Sequence, residues 1–311
     1  MNDISSKHQE HDIDLKNIFN ILWKNKLIIL LITIFFGVGS IFYALSLPNI
    51  YTSSALLQIK SNENNSSSLG SRYGGLASLA GVSLPSGGNE KASYIIETIK
   101  SREFIQHLIT FDGVMENLMA SKEYDHINIK IIYDENLFDI STRNWRLDNS
   151  SNKSLKPSYL MVKDTYDELV EIQQDNNSGF ISINFSHISP YFAHYFTDLI
   201  INQLNLVAKT RDFNEATDSL TFLENRLLVT KNNNTKTVIN NLMSSQLQKI
   251  MLSSLDDDYL LRSIDSPFIP EIKSSPSRSL VCIAITLLGL ILSLMLVTIK
   301  HFFYKEERYE L

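Results

Sequence analysis

The sequence predicts an α+β protein in which two membrane-spanning helices, one near each end, flank a large extracytoplasmic domain. Three observations predict it. Two charge-free apolar runs lie at residues 27–47 and 280–299. The chain between them is rich in Asn, Ser, Asp and Lys, and mixes apolar periods of two with helical periods. One stretch, from Tyr191 to Leu255, runs without a Gly or Pro and reads as an extended helical hairpin.

The first run, LIILLITIFFGVGSIFYALSL at 27–47, has no charge and no proline, and Pro48 ends it. At about 1.5 Å per residue such a run covers about 30 Å, the thickness of a bilayer core. Trp23, Lys24 and Lys26 precede it, an aromatic and basic edge suited to headgroups. A signal peptide is the rival reading. The run is longer than a signal core and follows a polar leader, so length favours an uncleaved span. The second run, 280–299, is matched in length, with Arg278 before it and Lys300, His301 and Lys305 after it. Lys16, Lys24, Lys26, Lys300, Lys305 and Arg308 on the outer flanks exceed Lys60, Lys273 and Arg278 on the inner ones, which predicts both termini in the cytoplasm. Small residues recur at i, i+4 as Ser40/Ala44 and Gly289/Ser293, a spacing that lets helix backbones approach closely. The bland alternative is that Gly and Ser are common in membrane helices. No ionisable group lies within either span, which argues against a proton or ion pathway.

The intervening elements follow in order. Residues 51–60 (YTSSALLQIK) read as a strand, and 62–89, rich in Ser, Gly and Asn, as a loop. That loop lacks the Lys-Ser/Thr of a phosphate-binding loop. Helix is expected over 90–111, a short strand over 127–133, a loop over 145–157, helix over 159–174 and a strand over 179–185. Ser189-Pro190 is an N-cap followed by proline at the first helical position. Phe192, Phe196, Leu199, Gln203, Leu206, Thr210 and Phe213 then step by four and three, like a coiled-coil seam. After two successive threes the stripe resumes as Ala216, Leu220, Leu223 and Leu227. Residues 232–235 (NNNT) offer a turn, and 235–255 a returning helix with Ile239, Met243, Leu247 and Ile250. A last strand is expected over 259–264. Pro267, Pro270 and Pro276 then impose an extended approach to the second span.

Composition and motifs bound the chemistry. The chain has 311 residues, a formal net charge of −6 and no Lys/Arg stripe, which argues against nucleic acid. Its one cysteine, Cys282, lies in the second apolar run, so no intrachain disulfide or thiolate cluster is expected. No HExxH, CxxC, EF-hand or GxSxG pattern occurs, and no cofactor or metal is predicted. Asp256-Asp257-Asp258 reads as a solvated helix terminus. Asp112, Glu116, Asp134, Glu135 and Asp139 can be paired on paper, as carboxylates can in any chain of this length.

The leader DIDLKNIFNILWKNKLIIL, the segment YTSSALL after the first span, the long helix and the segment SPFIPEIKSSPSRSL at the second span together resemble the bacterial polysaccharide co-polymerases, the Wzz family of O-antigen chain-length determinants. The resemblance is strongest at Ile13–Leu15, at Tyr51 and at the three prolines. It implies an inner-membrane protein whose domain is periplasmic, with a membrane-proximal α/β base, a long helical arm and assembly as a homo-oligomer. It implies a non-enzymatic regulator of lipopolysaccharide O-antigen chain length, working with a separate polymerase and lipid-linked glycan. Pro267, Pro270, Pro276 and Gly289 are then expected to be structural coupling elements. Related proteins with a tyrosine kinase carry a Walker motif after the second span; only 300–311 follow here, so no kinase activity is expected. The alternative is a capsule or exopolysaccharide export component working with an ABC transporter. A two-span sensor or an anchored hydrolase fits less well, for want of a signalling tail or a catalytic constellation. The expected organisation is a leader at 1–26, a span at 27–47, the chain-length domain at 48–279, a span at 280–299 and a tail at 300–311.

Overall fold

The computed structural model describes residues 22–60, 87–148, 152–255 and 258–306, with side chains at 87–90, 255 and 301–306 left aside. Most of the leader, residues 62–86 of the expected loop, Asp256, Asp257 and the end of the tail lie outside the described residues. The chain forms two compact units, one of residues 1–49 and 275–311, the other Ile50–Ser274.

The first unit is a pair of packed helices, α1 (Lys26–Ser46) and, at the far end of the chain, the last helix (Arg278–Glu306). Both are long and apolar enough to cross a membrane. The final helix runs past the predicted end at 299 because Lys300-His301-Phe302-Phe303 contains no breaker.

The second unit begins with β1 (Tyr51–Ile59), followed by α2 (Gly87–Ile99), α3 (Arg102–Leu108) and α4 (Val114–Ala120). The expected single helix over 90–111 is split because Ser101 caps α3, its hydroxyl accepting from Phe104 N at 3.1 Å. Two small hairpins come next: β2 (Ser121–Asp125) with β3 (Lys130–Tyr133), and β4 (Phe138–Asp139) with β5 (Asn144–Trp145). Sequence reading puts 127–133 in one strand. Instead Asp125 closes a turn, its carboxylate accepting from Ile127 N and Asn128 N, and strand begins only at Lys130.

Helix α5 (Tyr159–Leu169) gives way to β6 (Val170–Gln174), where helix was expected to continue. Val170 and Ile172 alternate inward along a sheet edge, and β-branched residues favour that pairing. β7 (Ile181–His187), the long helix α6 (Pro190–Val229), its return α7 (Asn233–Leu255) and β8 (Leu261–Asp265) complete the domain, which makes the last helix of the chain α8. The four-stranded sheet has the order β6-β7-β1-β8, with every pair antiparallel.

One face of this sheet is buried. Ala55 and Leu57 of β1 and Ile181, Ile183 and Phe185 of β7 point into a core shared with Ile95, Ile105, Tyr166, Phe196, Ile200 and Leu204. The opposite face carries Thr52, Ser54, Ser182, Asn184 and Ser186, and Thr52 Oγ1 lies 2.8 Å from Ser186 Oγ across the β1–β7 pair. An antiparallel sheet with helices on one side is the α+β arrangement the sequence predicts.

Candidate functional site

The sequence singles out four positions, and they fall in both units. Pro267 and Pro270 belong to the domain, where Pro270 is buried and Pro267 half-buried. Neither ring can donate a backbone bond, so side chains fasten this extended segment. Ser53 Oγ, itself fully buried on β1, donates to Phe268 O at 2.9 Å. Ser274 N donates to Ile50 O at 2.8 Å, and Ser274 Oγ is 2.7 Å from Thr52 Oγ1. The chain therefore leaves the domain beside the residue at which it comes in. Pro276, half-buried, lies in the helical unit, where the Ser275–Pro276 peptide is cis.

Gly289 sits at the contact between α1 and α8. A methyl group at this position would lie 2.5 Å from Phe36 Cβ and 2.6 Å from Phe36 Cγ, inside any real contact distance. Ser293 and Val297 continue the buried row one and two turns on. On α1 the buried residues are Ser40 and Ala44, the pair the sequence marks. Ser40 satisfies its hydroxyl locally by donating to Gly37 O at 2.7 Å, so it costs little at an apolar contact. Cys282 is a free thiol and points at Ser40 O, 3.8 Å away.

The long helix divides into two halves with different partners. From Phe192 to Ala208 it packs on the base, and the buried row is Phe192, Phe196, Ile200, Leu204 and Ala208. The predicted seam holds through Leu199 and then departs: Leu206 is 50 % and Phe213 39 % exposed. The reason is geometric. A straight helix on a sheet keeps one face by steps near 3.6, and the row of fours wins over a supercoiled 3.5 repeat. Beyond Ala216, which is fully buried, the helix pairs with α7 and carries Leu220, Leu223 and Leu227 half-buried. The hairpin turn is set by Asn232, whose Oδ1 accepts from Asn234 N at 2.9 Å. The returning helix accordingly starts at Asn233, two residues before the expected Thr235. Forty residues of α6 extend over about 60 Å.

Where arm meets base, sequence reasoning missed a polar clamp. Asn205 is buried on α6, and its Oδ1 accepts from Leu260 N at 2.9 Å and Leu261 N at 2.8 Å. Its Nδ2 donates to Leu261 O at 3.0 Å. A side-chain amide thus stands in for a neighbouring strand and holds β8 where α7 returns. Asp212 accepts from Tyr259 OH at 2.9 Å, and Arg211 beside it stacks on Tyr94 and donates to its hydroxyl. Burial, then the Asp212 carboxylate, push the Tyr259 hydroxyl well above the usual phenol range. An Asn in an apolar helical row is the only sequence signal for this clamp, and a helix reading alone does not reveal its partner.

His187 is buried, donates through Nε2 to Asn117 O at 3.0 Å, and accepts at Nδ1 from Ser189 N at 3.1 Å. Burial lowers it to about 4. Three of the five carboxylates that could be paired on paper are separately engaged: Asp112 with Arg143 at 2.8 Å, Asp134 with Asn136 N and Asp139 with Ser141 N, both at 2.9 Å. Among the described residues no group of three His, Cys, Asp or Glu could hold a metal ion.

These features define a class: a protein with two candidate spans, an α+β domain between them and a helical arm rising from that domain. Comparison with known proteins finds two likenesses. The family model "Wzz: Chain length determinant protein" matches residues 11–110, which hold the first candidate span, β1, α2 and α3. A solved "full-length bacterial polysaccharide co-polymerase" is 13% identical, with 94% of this chain and 99% of that chain covered at a TM-score of 0.38. No curated protein matches.

Proposed function

We propose that this protein is a non-enzymatic regulator of surface-polysaccharide chain length, acting on lipopolysaccharide O-antigen as an oligomeric co-polymerase of the bacterial inner membrane. The single observation that carries the reading is the match of residues 11–110 to the chain length determinant family. Two helices long and apolar enough to cross a membrane support it. In this reading they anchor both ends of the chain with both termini cytoplasmic, and the domain stands in the periplasm. The arm presents Phe222, Leu228, Val238 and Met251, each more than half exposed, and these suit contact with neighbouring copies. The ring of copies then holds or times a separate polymerase and its lipid-linked glycan.

Pro267, Pro270, Pro276 and Gly289 act in this reading as structural coupling elements between domain and spans. The test is a gel of surface glycan from cells lacking the gene. The modal band is expected to vanish into a broad ladder while total polymer persists; an unchanged ladder overturns the proposal. Loss of surface polymer with retained intracellular polymer points instead to export with an ABC transporter. Gly289→Ala is expected to shift the ladder without abolishing polymer, since the methyl group cannot be seated against the near end of the Phe36 side chain unless α1 and α8 move apart.

A further inference from the structure

The hairpin of β4 and β5 is not used by anything described so far, and it borders a cleft of about 750 Å³. Trp145 lies in its wall together with Glu135, Asp139, Asn144, Arg146 and Asp148. We propose that this cleft is a saccharide-binding subsite that takes neutral or N-acetylated sugar units of a glycan. The proposal deepens the chain-length reading by naming a place where the domain touches its glycan directly.

The chemistry is that of pyranose recognition. A sugar ring presents an apolar C–H face and a belt of hydroxyls that both donate and accept. An indole offers a flat apolar platform for the first, and carboxylates, a carboxamide and a guanidinium offer acceptors and donors for the second. Trp145 is half-buried and so keeps surface to offer. It is also fixed in place: it pairs across the hairpin with Phe138, ring centroids 5.3 Å apart, and Phe138 in turn lies 5.4 Å from Tyr133. A held platform loses little freedom on binding.

The polar groups are held too. Asp139 Oδ1 accepts from Ser141 N at 2.9 Å and from Ser141 Oγ at 2.6 Å. Those bonds, the side-chain one first, keep its carboxyl below the usual range and therefore charged at neutral pH. Arg146 is pinned through its backbone: its N donates to Leu137 O at 2.9 Å and its O accepts from Leu155 N at 2.8 Å.

Charge sets the ligand class. Three carboxylates, Glu135, Asp139 and Asp148, line the cleft against one cation, Arg146. Uronic acids and other anionic sugars meet net repulsion there. Trp145 also lines a second cleft of about 440 Å³, bounded by Gln106, Thr110, Asp112, Glu116 and Lys156, so the indole borders room for a further unit of the same chain.

The test uses the full-length protein in zwitterionic detergent micelles, which carry neither sugar headgroups nor tryptophan. Trp23 and Trp145 are its two tryptophans, and a Trp23→Phe background isolates the emission of Trp145. Chitotriose and maltotriose at millimolar concentrations are expected to shift that emission saturably. Trigalacturonate should bind about tenfold more weakly. Saturation-transfer NMR reads the same binding in variants. Trp145→Ala should weaken it about tenfold or more. Arg146→Ala, at an exposed position that leaves the Phe138 contact intact, should weaken it with the far-ultraviolet circular dichroism unchanged. No response to either neutral probe overturns the proposal, as does binding that survives both variants. Binding with an unchanged glycan ladder in the deletion strain sinks the chain-length reading alone, whereas a changed ladder without binding sinks this site alone.

Discussion

The two halves of α6 share one helix and differ in what covers them. In the base half, Phe196 and Ile200 are wholly shielded from solvent within the subunit. In the arm half, Phe222 is 60 % and Leu228 85 % exposed. A helix of forty residues is thus self-sufficient over its first half and unfinished over its second. Burial of apolar surface is worth about 25 cal/mol per Å², so the first half holds the fold and the second leaves that energy available to a partner.

Four perturbations sharpen this contrast, beginning with the largest. Phe196→Ala removes a ring that touches Phe185, Phe192 and Tyr166. It is expected to cost about 4 kcal/mol, read as an early thermal transition. A wild-type melting temperature contradicts the view that the core lies there.

Acid attacks the same region. His187 is held at about 4 in the fold, against about 6.5 unfolded, so its neutral form is the folded one. The unfolded chain binds the extra proton between these values. Stability is therefore full above about pH 6.5 and falls by up to about 3 kcal/mol as pH drops towards 4. His187→Gln should flatten that slope in denaturant melts between pH 7 and 4.

Asn205→Ala strips Leu260 and Leu261, at the start of β8, of three hydrogen bonds at the junction of the halves. A loss of about 2 kcal/mol is expected, with faster amide exchange at Leu260 and Leu261 than elsewhere in the sheet. Uniform exchange across the sheet contradicts the clamp. The smallest effect falls on the arm: Phe222→Ser, at an exposed site, should change subunit stability by less than about 0.5 kcal/mol. Calorimetry showing a large loss there contradicts the division into two halves.

Much of this contrast was legible in the sequence. The alternation of Ile181, Ile183 and Phe185 announces a half-buried strand, and Ser189-Pro190 announces the start of α6 to the residue. The two long apolar helices are plain because length and apolarity are local properties. What failed to show depends on partners distant in the chain. Leu206 fits a heptad but sits outside the buried row, because the sheet, not a second helix, is what α6 meets there. Val170 and Ile172 continue a helical pattern until β7 is placed beside them. At the candidate site the same rule holds. Gly289 is visible as a glycine, yet its reason, Phe36, lies on the other apolar helix. Trp145 reads as part of a loop until its pairing with Phe138 makes a hairpin of it.

The measurement that tests the account most directly is a surface-glycan gel from cells whose only copy of the gene carries Phe222→Ser with Leu242→Ser, two exposed arm positions. The account predicts a broadened or shifted ladder at wild-type protein abundance and unchanged melting of the purified protein. A wild-type ladder from that strain, with the protein present and folded, would contradict it.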